Sequence, residues 1–179
     1  MNVLIRRRWI NLGLLGLVGG LVALALLEPG KEQPVIPPLL GLTGEQIQHI
    51  EVWYPDRESL AFERWDHGWR MTRPHGGWAN PVLINRVLEV AVMHCSLQYS
   101  AAELNLPTLH LKPAQLRLRL NGRDIHFGAT TPIEGLRYLQ VGGTVHLCPD
   151  RLYPLLTSAA ASFLVSTIES LESPVTKAE

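Results

Sequence analysis

The feature that most constrains this chain is the run from Ile10 to Leu27, which carries no charged residue and lies directly behind Arg6, Arg7 and Arg8. At about 1.5 Å rise per residue, this run with the flanking Trp9 approaches the roughly 30 Å of a bilayer hydrocarbon core. The pattern predicts a transmembrane helix over 10–27 behind a cytoplasmic N-terminus over 1–9. Arginines beside a first apolar segment stay on the cytoplasmic side, and the far flank offers only Glu28, Lys31 and Glu32, so Arg6, Arg7 and Arg8 set the expected topology. The expected location is the inner (cytoplasmic) membrane, single-pass, with the C-terminal domain periplasmic or extracellular. The rival reading is a cleaved signal peptide ending at Ala23-Leu24-Ala25. Cleavable cores usually run about 7 to 15 residues, and this one continues through Leu26 and Leu27. Gly16 and Gly20 form a small-xxx-small pair that could let two helices approach as a homo-oligomer, although glycine is common in membrane helices without that role.

Beyond this run, Pro29, Gly30, Pro34, Pro37 and Pro38 disfavour helix and predict a Pro-rich stalk over 28–46. A single exported α+β domain is expected over 47–171 and a polar tail over 172–179. Removing Arg6, Arg7 and Arg8 lowers the basic tally from 16 to 13 against 16 acidic residues. A mildly acidic domain argues against nucleic acid as a partner.

Within the domain, alternation of apolar and polar residues over Ile47 to Tyr54, Leu60 to Trp65 and Trp69 to Thr72 predicts an antiparallel meander. Asn80-Pro81 is a helix start signal, because Asn can cap an orphan N–H and proline at the first helical position lacks one. The following Ile84, Val87, Leu88, Ala91 and Cys95 share one helical face, which turns Cys95 to the core. Ser96 to Ser100 reads as a short strand and Ala101 to Leu104 as one helical turn. In Ala114 to Leu120 the leucines point inward and Arg117 and Arg119 outward. Asn121-Gly122 suits a type I′ hairpin into a strand over Asp124 to Phe127. A second hairpin pairs Leu136 to Val141 with Thr144 to Cys148 through Gly142-Gly143. Asp150 is positioned to cap a second main helix carrying Leu152, Leu155, Leu156, Ala159 and Phe163.

The succession Gly68-Trp69-Arg70-Met71, Pro74, Ala79-Asn80, the apolar helix, Leu104-Asn105-Leu106 before Pro107, Phe127-Gly128 and Arg137-Tyr138-Leu139 resembles the bacterial domain-of-unknown-function 4340 family over residues 47–157. Asn105 stands where that family usually has glycine, and asparagine also tolerates the left-handed conformation. The resemblance implies an anchored extracytoplasmic α+β domain, in a family often found with components similar to gliding-type ABC transport systems. It supplies no catalytic residues.

A direct search for chemistry finds no nucleophile elbow, phosphate-binding glycine loop, dinucleotide fingerprint or metalloprotease motif. His67 and His75 lie beside glycines in turns, as solvated loop histidines do. His94-Cys95 and His146-x-Cys148 offer two histidines and two cysteines to zinc, but adjacent residues on a helix diverge by about 100°. Cys95 and Cys148 could instead form a disulfide or remain two separate core residues. No metal, cofactor or catalytic residue is therefore assigned. Trp53, Trp65 and Trp69 belong to the meander as core or sheet-face residues. Trp78 follows Pro74-His75-Gly76-Gly77 in a loop, where it could anchor an interface or fold back over a core edge.

These readings combine into a non-enzymatic, membrane-anchored interaction or accessory module of an envelope complex, with an integral membrane protein of an ABC-type transport system as its partner. The alternatives are a bitopic subunit resembling secretion-machine components and an envelope hydrolase with a dispersed active site.

Overall fold

A computed structural model describes the backbone over 3–27, 36–132 and 135–165, and within the first stretch the side chains of 9–24. The chain divides into two compact units, Met1–Val35 and Ile36–Glu179. The first contains helix α1 (Val3–Leu27), whose large apolar side chains from Trp9 to Leu24 are exposed. Among the described residues no helix is long and apolar enough to cross a membrane. Asn11 and four glycines dilute the apolar character of the stretch from Trp9 to Leu24. This overturns the transmembrane helix expected over 10–27, and with it the single-pass inner-membrane anchor. The side chains of Arg6, Arg7 and Arg8, residues 28–35 of the expected stalk and the tail over 172–179 lie outside what is described.

The second unit takes in the rest of the expected stalk, because Leu39 and Leu40 are buried and their N–H groups donate to the carbonyls of Met93 and Ala91. Its frame is a nine-stranded antiparallel sheet among the described residues: β1 (His49–Trp53), β2 (Leu60–Trp65), β3 (Gly68–Arg73), β4 (Gly77–Trp78), β5 (Leu97–Ser100), β6 (Leu116–Leu120), β7 (Arg123–Thr130), β8 (Leu136–Val141) and β9 (Thr144–Pro149). The spatial order is β4-β3-β2-β1-β6-β7-β8-β9-β5. At the β6–β7 turn Asn121 and Gly122 both have positive φ, 46° and 82°. The Asn121 side chain also accepts from the N–H groups of Gln48 and His49, fixing the turn to the start of β1.

Period-two alternation sorts the strands into two faces. On the inner face Ile50, Val52, Phe62, Met71, Leu116, Leu118, Leu120, Ile125, Phe127 and Leu139 join Leu39, Leu40, Ile84, Val87, Leu152, Leu156 and Phe163 in one buried cluster. The outer face is open over β1–β4 and covered towards β9. Val145 and Leu147, alternating with inward His146 and Cys148, are buried outside that cluster together with Leu111. The segment from Ala101 to Gln115 runs along this side, bonded from Ala101 N–H to the Gly143 carbonyl and from Ala129 N–H to the Leu109 carbonyl. Gly128 permits the approach, since a Cβ there would meet the Leu109 carbonyl and the Leu111 side chain.

The expected fold of hairpins with two main helices is likewise corrected to a mostly antiparallel sheet with few helices. Helix α2 spans only Pro81–Leu88, capped by Asn80 Oδ1 accepting from Val82 N–H at 2.9 Å, and relaxes into a 3-10 turn over Glu89–Val92. It stops before Cys95 because Ala91 and Met93 give their carbonyls to Leu40 and Leu39. The second expected helix shrinks to α3 (Tyr153–Leu156), with a 3-10 turn over Ala160–Phe163. Asp150 does not cap it. Its carboxylate is taken by Arg137, at 2.8 Å and 2.9 Å.

Candidate functional site

The outer face carries two groups of aromatic and cationic side chains. In the first, β1 alternation turns Trp53 outward, and the β1–β6 and β6–β7 registers set Trp53 beside Arg117 and Arg117 beside His126. The Arg117 guanidinium lies over the Trp53 ring, 5.4 Å from its centroid, and Trp53 keeps 50% exposure. Together with Lys112, these side chains border a cavity of about 400 Å³ that is completed by Tyr54, Pro55, Leu111, Pro113 and Ala114. No carboxylate lines it. One register step away, Arg119 holds Asp124 at 2.7 Å and lies 3.7 Å from Glu51, which also pairs with Arg73 at 3.0 Å. That row neutralises itself, and the Arg119 hydrogen bond holds the Asp124 carboxyl below its ordinary range. Arg117 and Lys112 form no ion pair among the described residues, and Arg117 Nε is buried without an acceptor.

The second group lies at the far end of β2 and β3. Arg70 is the cross-strand neighbour of Trp78 and lies over Trp65, 5.3 Å from its centroid. Trp65 is 50% exposed and Trp78 47%. Glu63 is the β2 neighbour of Arg70, yet no ion pair joins them.

Other polar groups serve the fold. Tyr54 donates its hydroxyl to the Leu156 carbonyl, and burial pushes its pKa up to about 12. Arg57, stacked 3.7 Å from the Tyr54 centroid, donates to the Thr157 and Leu156 carbonyls and so closes the end of α3. Cys95 and Cys148 are joined in a disulfide with an S–S distance of 2.01 Å, which leaves neither thiolate to a metal. His94 is exposed and His146 buried, and no group of metal-ligating side chains occurs among the described residues. His67 and His75 are exposed. Gly16 and Gly20 have nothing within 4 Å of an added Cβ.

Burial lowers the pKa of His146, and burial with Arg117 lowers that of His126. Unfolded imidazoles titrate near 6.5. Below that pH the unfolded chain takes up protons that the native imidazoles refuse, so stability is full above about pH 7 and falls as pH drops towards the native pKa values. Urea midpoints are expected to be lower at pH 5 than at pH 7.5, with a shallower decline in His146→Gln. Equal midpoints at both pH values would remove the histidines from the stability of the fold.

The sequence points to Trp78 through an expected loop position, and the structure sets it instead on β4 opposite Arg70. The Trp53–Arg117 contact has no such signal, because alternation turns both residues outward but says nothing about which strand pairs with which. Comparison with protein-family models, curated proteins and solved structures finds no match for this chain.

Proposed function

We propose that residues 36–165 form a binding module that docks a protein partner on the outer face of the sheet through Trp65, Arg70 and Trp78. The observation that carries this reading is the arginine between two half-exposed indoles on one sheet surface. Tryptophan and arginine are the residues most often responsible for binding energy at protein interfaces, and a solvated pair of indoles gains most when a partner covers it. Among the described residues Arg70 forms no ion pair, so the complementary surface is apolar with a carboxylate facing the guanidinium. The resemblance to the domain-of-unknown-function 4340 family extends the proposal to an accessory subunit of an ABC-type transport system. An enzyme is the weaker reading. The cavity beside Trp53 has one hydroxyl, that of Tyr54, already committed to the Leu156 carbonyl, and no thiol, so His126 has no hydroxyl or thiol nucleophile to activate there.

The test compares full-length tagged protein with a Trp65→Ser/Trp78→Ser variant, each crosslinked in the native host and its co-purifying proteins quantified. A partner recovered with the native protein is expected to fall at least tenfold with the variant, while the Cys95–Cys148 disulfide and the circular dichroism spectrum are retained. Equal recovery of every partner with the folded variant would overturn the proposal.

A further inference from the structure

We propose that the cavity between Trp53, Lys112, Arg117 and His126 is a binding site for a small organic acid with a flat apolar body, its carboxylate held by Arg117. Two observations converge. The volume of about 400 Å³ lies in the range of small-molecule sites, and Trp53, Leu111 and Pro113 supply apolar walls. Two cations border it without a carboxylate in the lining, while the acids nearest on the same face, Glu51 and Asp124, are already held by Arg73 and Arg119.

The guanidinium geometry selects the ligand class. Arg117 lies over the Trp53 ring, 5.4 Å from its centroid, and the two terminal Nη groups of a guanidinium match the two oxygens of a carboxylate. The indole flank accepts the flat body of the acid. The site is separate from the docking surface. Trp53 and Trp65 lie at opposite ends of the β1–β2 pairing, which places them about 20 Å apart at the usual strand rise.

The test is a titration of the full chain with indole-labelled tryptophans, assigned by single Trp→Phe substitutions and followed by NMR at constant ionic strength. Sodium benzoate is expected to shift the Trp53 indole resonance saturably with a millimolar Kd, while the Trp65 resonance stays fixed. Benzamide, which keeps the ring and loses the charge, should bind at least tenfold more weakly. Arg117→Gln and Arg117→Lys should each lose at least tenfold, since lysine keeps the charge without the fork, and the unmoved Trp65 resonance shows that the variants are folded. Benzamide binding as tightly as benzoate, inorganic phosphate displacing benzoate at equal concentration, or unchanged affinity in folded Arg117→Gln would each overturn the proposal.

Discussion

Replacing Arg137 by leucine is expected to destabilise the domain by about 3–5 kcal/mol, the usual cost of breaking one half of a buried ion pair. Arg137 is only 6% exposed. Its guanidinium grips both Asp150 oxygens, donates to Gln115 Oε1 at 2.8 Å and to the Gly128 carbonyl, and stacks 3.6 Å from the Tyr153 ring centroid. One side chain thereby ties β8 to β7, to the approach to β6 and to the start of α3. Removing it strands a carboxylate and two acceptors away from water. The charge left behind causes most of the loss, so Arg137→Met with Asp150→Asn should cost less than Arg137→Leu alone. Urea unfolding of the three proteins measures the difference. A loss below about 1 kcal/mol for the single variant would show that water or another side chain takes over the exposed partners.

The same arginine explains where the sequence misled. Asp150 has the type and position of a helix cap, and nothing local reveals that a side chain thirteen residues upstream claims its carboxylate. The second helix is accordingly reduced to a single turn. Strands were more legible because their signal is local. The leucines of β6 are fully buried and its arginines are not, as alternation requires, and Asn121-Gly122 carries its turn in two residues. Sheet order was not legible. β1 pairs with β6 across more than sixty residues, and β5 crosses to the far edge beside β9, so the faces could be assigned before the neighbours could. The candidate sites inherit this limit: Arg117 was readable as outward, but its place over Trp53 depends on that long-range register. The N-terminal run shows a different failure. Freedom from charge over Ile10–Leu27 reads as a membrane span, yet among the described residues no helix is long and apolar enough to cross one.

Reduction of the Cys95–Cys148 disulfide is expected to cost about 4 kcal/mol, the chain-entropy value for a crosslink closing a loop with the observed separation of 53 residues. The loop encloses β5, β6, β7 and β8, and with them Arg117, His126 and Arg137, while the partners on β1 and β2 lie outside it. Opening it lets the unfolded chain explore conformations that the crosslink forbids. Both cysteines are buried, so the native packing around them should change little in Cys95→Ala/Cys148→Ala apart from the lost sulfur contacts. A loss of this size is comparable with the whole stability of a marginal domain, which makes folding dependent on an environment that keeps thiols oxidised. Urea unfolding of the oxidised protein, of the same protein in excess dithiothreitol and of the double alanine variant provides the measurement. The last two should agree with each other and fall well below the first. If the variant matched the oxidised protein while the reduced form did not, the disulfide would be acting on native packing and not on the unfolded chain, and the entropic account would fail.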